Sequence, residues 1–259
     1  MPKPMKDFET PNDLLGVFCD IDDTLTVEGR LVPEVLQIME TARSRGLKVV
    51  PITGRPGGWV DHIARAWPVD GVVGENGGLW FWFDGKKMQR RFIQSHTERA
   101  ANRKRLTSLA AAILEAVPGC ALASDQPYRD LDLAIDFCED VPPLQEAEID
   151  EIVNLFVAAG ATAKVSSIHV NGWFGVFDKL IGVQQFHQDR WNTPIDFSRW
   201  AFFGDSANDE PMFKAFEHSI GVANVADFFH RMTDHPTWIT EGNGGHGFVE
   251  GMERILEGL

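Results

Sequence analysis

Short apolar runs alternate with helical stretches over the first eighty residues, and this alternation constrains the fold more than any other feature. The run Leu14–Cys19 has the length and the Val/Phe content of a buried strand, and "LKVVPIT" and "DGVVGENGG" follow it. Helices are predicted between these runs, at 33–46 and at about 58–66. Strands and helices that alternate across short connections are typical of a parallel sheet covered by helices. We therefore predict an α/β core with a Rossmann-like, doubly wound parallel sheet.

The alternation stops after residue 78 and resumes at Lys179. The segment "LWFWFDGKKMQRRF" predicts a hairpin that turns at Asp84-Gly85. The elements predicted after it are helices at about 98–117 and 144–159 and strands at "LDLAIDF", "AKVSSIHV" and "WFGVFD". Hairpins and longer helices of this kind are typical of an α+β unit. We predict a catalytic core of 1–83 and 179–259, interrupted by an inserted α+β cap domain at 84–178.

The composition narrows the classes of partner. With 44% hydrophobic and 24% charged residues among 259, the chain is typical of globular proteins, and we expect disorder at most in the first ten or so residues. A formal net charge of −14 repels nucleic acid and anionic membranes, and no apolar run is long enough for a membrane span. The basic cluster at 90–105 is interpreted as a solvated helix face.

The cysteines and the N-terminus indicate the compartment. The three cysteines are scattered and form neither a disulfide framework nor a CxxC metal pattern, and the first residues lack a signal-peptide pattern. We therefore expect a soluble protein of the reducing cytoplasm. The sequence does not indicate its oligomeric state.

Acidic and polar side chains follow the predicted core strands. They form four groups, which are Asp20-Ile-Asp22, Thr53-Gly54-Arg55, Lys179, and Asp205 with Asp209. The carboxyl ends of parallel strands meet at one edge of the sheet, where open α/β sheets bind their ligands. The aspartates at 20, 22 and 23 repel one another unless a cation compensates them. Oxygen ligands without clustered His or Cys favour Mg²⁺ as that cation.

The acidic cluster has two other interpretations. A calcium-binding loop requires Gly at its sixth position and Glu at its twelfth, where this chain has Leu25 and Leu31. That interpretation is excluded. Asp20 and Asp22 could also be ordinary turn or helix-cap residues, but the other three groups, in this order, favour a catalytic site.

The four groups resemble the motifs of the haloacid dehalogenase (HAD) superfamily of phosphohydrolases. The insert resembles the large α/β cap of the Cof-type and sugar-phosphate phosphatase subgroup, as do "GENGG", with Asn76, and "GVANV", with Asn224. Many relatives have Gly where this chain has Asp23, and Lys-Gly where it has Lys179-Leu180. These departures remove no reacting group.

The resemblance implies a phosphatase that works through an aspartyl-phosphate. The implied roles are Asp20 as nucleophile, Asp22 as general acid and base, Asp20, Asp205 and the backbone carbonyl of Asp22 as Mg²⁺ ligands, Asp209 as the residue that orients metal-bound waters, and Thr53 and Lys179 as donors to the phosphoryl oxygens. The substrate would be a small phosphorylated metabolite, with sugar phosphates foremost.

Other residues are weaker candidates for binding the substrate. They are Gly54, Arg55, Asn76 and Asn208 in the core, and Arg129, His169 and Asn171 in the insert. Arg55 could instead be a structural donor, and Asn208 could instead cap the next helix. Five further residues are interpreted as structural, in packed, surface or core positions. They are Trp80, Trp82, Cys19, His230 and His235.

Three other functions remain open. A phosphosugar mutase would isomerise the sugar instead of releasing phosphate. A signalling module that accepts phosphate on an aspartate is disfavoured by the D-x-D spacing and by the cap. A non-catalytic Mg²⁺-binding protein is disfavoured because the set of reacting groups is complete.

Overall fold

The computed structural model describes residues 1–259. Its strands are β1 (Lys3–Pro4), β2 (Gly16–Cys19), β3 (Thr26–Val27), β4 (Arg30–Leu31), β5 (Lys48–Pro51), β6 (Val72–Gly74), β7 (Leu79–Phe83), β8 (Met88–Phe92), β9 (Ala121–Leu122), β10 (Asp132–Asp136), β11 (Thr162–Val165), β12 (His169–Trp173), β13 (Trp200–Gly204), β14 (His218–Gly221) and β15 (Trp238–Ile239). Its helices are α1 (Pro33–Ser44), α2 (Gly57–Ala66), α3 (His96–Ala116), α4 (Glu146–Ala158), α5 (Lys179–Trp191), α6 (Glu210–Ala215) and α7 (Gly244–Glu257). None of these helices combines the length and the apolar character that crossing a membrane requires.

Six strands form a fully parallel central sheet in the order β1-β15-β14-β13-β2-β5. The two central strands, β13 and β2, pair so that Phe203 lies opposite Cys19. Asp20 and Asp205 therefore leave neighbouring strands at the same edge. A parallel bridge between Ile52 and Val73 connects this sheet to the antiparallel β6-β7-β8 sheet. The predicted Rossmann-like α/β core is confirmed.

Alternating side chains of the buried strands supply two separate apolar cores. Val17 and Cys19 of β2 belong to a cluster that contains α1, α2 and α7, whereas Phe18 belongs to a cluster that contains α5 and α6. Successive side chains of a strand point to opposite faces, so helices cover both faces of the sheet. This is the doubly wound arrangement.

The cap is a four-stranded antiparallel sheet, β11-β12-β10-β9, packed against α3 and α4 around its own cluster of 14 buried residues between 106 and 174. The β7–β8 hairpin turns where it was predicted, but its buried residues belong to the core clusters. The division at 84–178 stays a prediction. The packing of the hairpin favours a first boundary after Phe92.

One expectation about a single segment is wrong. "AKVSSIHV" is not one strand, because a turn at 166–168 separates β11 from β12, and the second strand ends at Trp173 before most of "WFGVFD". Ser166 makes this turn, since its Oγ accepts from the backbone N–H of Ile168 (3.4 Å) and His169 (3.0 Å). The first ten residues, to which any disorder was expected to be limited, are structured. β1 pairs with β15, and Met5 and Phe8 are buried in the core.

Candidate active site

Four buried ionisable side chains lie at the carboxyl edge of the central sheet. Lys179, the first residue of α5, donates from Nζ to Asp20 Oδ1 (2.6 Å) and to Asp209 Oδ1 (2.7 Å). Asp205 lies beside them, and all four side chains are buried. The structure thus brings together the first, third and fourth groups predicted from the sequence.

A close backbone contact fixes the position of Lys179. The first turn of α5 packs against the 3₁₀ helix Glu75–Gly77, and a Cβ added to Gly182 would lie 2.4 Å from the Cα of Gly77. Gly77 itself has φ +97°, in the left-handed region that favours glycine. These two glycines let the helix approach until Lys179 reaches Asp20.

The carboxylates of Asp20, Asp205 and Asp209 each offer an oxygen, and these oxygens lie within 4.8 Å of one another. Asp209 already uses both oxygens, since Oδ2 accepts from the backbone N–H of Asp205 (3.0 Å) and Oδ1 binds Lys179. Asp205 Oδ1 accepts from Thr24 Oγ1 (3.1 Å), whereas its Oδ2 is buried without a partner. A buried, unpaired carboxylate oxygen is costly. The donor set therefore fits a hard divalent cation such as Mg²⁺ between Asp20 and Asp205.

The protonation of these groups depends on the charges around them. Burial, assisted by Asp209 and Asp22, raises the pKa of Asp20 to about 7, and Lys179 opposes this shift. Burial also raises the pKa of Asp205, with Asp20 adding to the effect. Burial alone would lower the pKa of Lys179, but Asp20 and Asp209 raise it. A bound cation would hold the two carboxyls ionised at neutral pH.

Arg55 binds Asp22 of the core and two acidic residues of the cap. Its Nε lies 3.0 Å from both carboxylate oxygens of Asp22, and its Nη2 lies 2.8 Å from Oδ1. On the cap side, Nη2 lies 2.5 Å from Glu139 Oε1 and Nη1 lies 3.4 Å from Asp125 Oδ2. The guanidinium also stacks on Trp59, 4.6 Å from the ring centroid. Arg55 therefore orients Asp22 and bridges the two domains at once.

Glu139 pairs with a residue of the cap in addition to Arg55. Its Oε2 lies 2.8 Å from Nε2 of His169. Burial would raise the pKa of Glu139, but His169 and Arg55 lower it to about 2. The loop that presents Glu139 is held by Asp136 Oδ1, which accepts from the Glu139 backbone N–H at 2.7 Å. Glu139 is thus ionised and fixed at neutral pH.

The second predicted group lies beside this network. Thr53 is buried, and its Oγ1 accepts from the backbone N–H of Arg55 at 2.9 Å. A Cβ added to Gly54 would lie 3.2 Å from Nδ2 of Asn76, a buried donor that has no partner. Asn76 Oδ1 accepts from Asn208 Nδ2 at 3.3 Å. Asn208 therefore does not cap α6. It joins Gly54 and Asn76 at the site.

A narrow cleft of about 10 Å³ opens between the two domains above Asp20. Its lining residues are Asp20, Asp22, Gly54, Arg55, Ser166, Ser167, Ile168, His169, Asn171 and Asn208. The cap turn at 166–168 covers the cleft, which means that the structure is in a closed arrangement. No Phe, Tyr or Trp lines it.

Arg129 lies outside this lining. Its fully buried guanidinium donates from Nη1 to the carbonyl oxygen of Gly54 (2.7 Å) and to Asp132 Oδ1 (3.0 Å), and from Nε to Asp125 Oδ1 (2.9 Å). Arg129 thus joins cap to core in the closed arrangement. Its predicted contact with the substrate stays a prediction.

Glu75 makes a third link between the domains. It is buried, and its Oε2 accepts from the cap backbone N–H of Leu131 at 2.6 Å, while its Oε1 accepts from Gly57 at 3.2 Å. Burial and the nearby Asp132 raise the pKa of Glu75 to about 8. The motif "GENGG" therefore contributes to domain contact through Glu75, and its Asn76 packs behind the cleft against Gly54 and Asn208.

The remaining candidates lie away from the cleft. Trp80 donates to Asp189 Oδ2 at 2.9 Å and packs with Trp82 in the core. Cys19 is buried, and His230 and His235 are exposed. Asn224 donates to the carbonyl oxygen of Asp23 at 3.0 Å, close to the acidic loop.

Sequence reasoning missed Asp125, Glu139, Ser166 and Ser167. An i, i+4 spacing of opposite charges connects Asp125 to Arg129 and could have identified the first of them. Nothing in the sequence marks Glu139, because its partner Arg55 is 84 residues away.

Comparisons with known proteins agree with this architecture. A family model described as haloacid dehalogenase-like hydrolase matches residues 17–106 and 176–251. No curated protein sequence matches the chain. The two matched ranges lie on either side of most of the cap.

Solved structures share the fold over nearly the whole chain. Protein 0175 of Thermoplasma acidophilum is 16% identical with a TM-score of 0.70, and the match covers 94% of this chain and 98% of that one. A haloacid dehalogenase-like hydrolase from Bacteroides thetaiotaomicron is 14% identical with a TM-score of 0.65, covering 93% and 99%. The HAD subclass IIB sugar phosphatase BT4131 is 15% identical with a TM-score of 0.62, covering 92% and 97%. At these identities the likeness concerns the fold, cap included.

Proposed function

Because this chain belongs to the haloacid dehalogenase-like hydrolases, we propose that it is a Mg²⁺-dependent phosphatase of a small phosphomonoester, with sugar phosphates foremost. The observation that carries this proposal is the position of Asp20. Its carboxylate is held by Lys179, lies beside the unpaired oxygen of Asp205 and lines the cleft. A carboxylate in these surroundings is suited to nucleophilic attack on a phosphoryl group.

In the first step Asp20 attacks phosphorus, forming an aspartyl-phosphate while the bond from phosphorus to the leaving oxygen breaks. Asp22 gives a proton to that oxygen. In this proposal Lys179 and Thr53 stabilise the charge on the phosphoryl oxygens during transfer. Asn76 has a buried amide N–H₂ group without a partner, which suits the same task.

In the second step water attacks the aspartyl-phosphate, phosphate leaves and Asp20 is regenerated. Asp22 takes the proton from this water, so one side chain serves as acid and then as base. The contact with Arg55 fixes the direction of the Asp22 carboxylate in the closed arrangement.

Asp20, Asp205 and the backbone carbonyl of Asp22 would hold Mg²⁺, and Asp209 would orient its waters. When bound, the ion neutralises charge on the carboxylates and on the phosphoryl group, which lets the two anions approach.

The cleft favours a neutral, hydroxyl-rich leaving group. Each nearby cation is already shared by carboxylates: Arg55 by Asp22, Asp125 and Glu139, and Lys179 by Asp20 and Asp209. A second anionic group on the substrate would therefore find no free positive partner. The hydroxyl and amide side chains of the lining suit sugar hydroxyls, and the missing Phe, Tyr or Trp disfavours a stacked nucleobase.

We also propose that the protein acts in the reducing cytoplasm on a small metabolite, without nucleic-acid or membrane partners. All three cysteines are free thiols, and the net charge is −14. Both observations support this proposal.

Release of inorganic phosphate from a panel of sugar phosphates, phosphorylated acids and nucleotides tests the function. We expect Mg²⁺-dependent release that is highest for neutral sugar phosphates. Asp20→Asn keeps the size of the side chain and should lose activity by more than about a thousandfold, whereas Asp7→Asn, an exposed control, should not. More than a few per cent of residual activity in Asp20→Asn would contradict the mechanism. Isomerised sugar without phosphate release would instead indicate a mutase.

A further inference from the structure

A second cavity reaches the acidic loop from outside the substrate cleft. It has a volume of about 310 Å³, against about 10 Å³ for the cleft. Four of its eleven lining residues are acidic, namely Asp23, Glu28, Asp205 and Asp227, and none is basic. The mechanism proposed above makes no use of this cavity.

Asp205 connects the cavity to the reacting groups. Its side chain lines the cavity and does not line the cleft, whereas Asp20 lines the cleft and not the cavity. The unpaired, fully buried Oδ2 belongs to this residue. The position between Asp20 and Asp205 therefore lies where the two openings meet.

One cap residue lines both openings. Ser167, in the turn between β11 and β12, lines both the cleft and the cavity. With the cap closed, the cleft leaves almost no free volume, but the cavity stays wide. The cavity thus leads to the buried Asp205 side chain without passing through the cleft.

The local backbone conformation holds Asp23 in the wall of this cavity. It has φ +56°, and its backbone N–H donates to Thr26 Oγ1 at 2.8 Å. Asp tolerates the left-handed region better than most residues, which is why it can stand where relatives have Gly. The departure from the family pattern thus adds a carboxylate to the wall of the cavity.

We propose that the acidic cavity is the route by which the divalent cation enters and leaves the site between Asp20 and Asp205 while the cap is closed over the substrate. Four carboxylates in a lining without a basic residue raise the local concentration of cations and repel phosphate dianions. Metal and substrate therefore use separate openings. The inference rests on the proposed metal site.

The test measures binding of Mn²⁺ alone, by its uptake and by its release into a fluorescent chelator in a stopped-flow instrument. Glu28→Gln with Asp227→Asn removes two exposed charges at the mouth of the cavity and leaves Asp20 and Asp205 intact. At low ionic strength we expect uptake to slow by about threefold to tenfold. The difference should disappear near 1 M salt, where the screening length is about 3 Å.

Two controls show whether the slower uptake comes from the cavity, and not from the net charge of the protein or from entry through the cleft. Glu40→Gln with Glu115→Gln removes the same charge from exposed positions elsewhere and should leave uptake unchanged. Gly58→Cys with Tyr128→Cys should lock the cap by a disulfide, because a Cβ at Gly58 lies 3.4 Å from that of Tyr128. Uptake should be as fast in the locked enzyme as in the reduced one. Asp205→Asn should abolish it.

Three results would overturn the route. They are equal uptake in the cavity pair and in its control, slower uptake on locking the cap, and strong binding in Asp205→Asn. None of them depends on turnover. Failure of the phosphatase proposal would instead be seen as absent phosphate release with normal Mn²⁺ uptake.

Discussion

The core and the cap contribute charged residues to the same cleft in different ways. In the core, Lys179, Asp20 and Asp209 are buried at the first turn of α5, directly after β2 and directly before α6. In the cap, Glu139 and the turn at 166–168 lie in loops, and they meet the site only because the domains are closed. The reacting groups are thus fixed by the sheet, and the groups that surround the substrate are fixed by domain contact.

This difference separates two kinds of failure. Damage to the core cluster should remove the chemical step whatever the cap does. Damage to the domain contact should change access and selectivity while the reacting groups keep their geometry.

Lys179→Met should have the largest effect. It removes a donor to Asp20 and leaves Asp20 and Asp209 as buried charges without their cation, so we expect kcat to fall about a thousandfold. Unfolding in urea at pH 7 without metal should show a loss of about 3–5 kcal/mol. Lys214→Met, which removes an exposed lysine paired with Asp234, is the matched control and should change neither quantity. More than a tenth of the activity in Lys179→Met would place the chemistry elsewhere.

The sequence predicts the core part of the site because the residues that follow parallel strands must lie at the same edge of the sheet. Asp20, Thr53 and Asp205 each follow a short apolar strand, and parallel strands end at one edge. Lys179 follows the insert, at the point where the alternation of strands and helices resumes. Their positions can thus be predicted from local pattern, although their roles stay predictions.

The cap part could not be predicted in this way. "AKVSSIHV" looks like one continuous strand, and only the hydrogen bonds of Ser166 show the turn that carries residues 166–168 over Asp20. Glu139 gains its position from Arg55, 84 residues earlier, and such a pair depends on how two domains dock. No periodicity within the cap contains that information.

A disulfide between the domains should have the second largest effect. Locking Gly58→Cys to Tyr128→Cys keeps the cleft at its closed volume, which is too small to admit a sugar phosphate. We expect turnover to fall by about a hundredfold under oxidising conditions and to recover on reduction, since lid opening gates entry and release. The two single-cysteine variants are the controls. Full activity with the disulfide formed would show that the cap does not have to open.

Glu139→Gln should have the smallest effect, and it isolates the domain contact from the chemistry. In the folded protein, the pKa of Glu139 lies at about 2, below its ordinary value, because His169 and Arg55 favour its charge. The unfolded chain therefore binds more protons between about pH 4.5 and 2, and the stabilisation is present above that range and lost as the pH falls through it.

At pH 7 Glu139→Gln should cost about 1 kcal/mol in urea unfolding, a value reduced for the partial exposure of the carboxylate. The difference from wild type should shrink at pH 3 and disappear near pH 2, whereas Glu115→Gln, an exposed cap control, should show no difference at either pH. Because Asp20 and Lys179 are untouched, kcat should change by less than about fivefold. A loss of kcat as large as that of Lys179→Met would mean that cap closure also sets the geometry of the reacting groups, and the separation between core and cap would then be wrong.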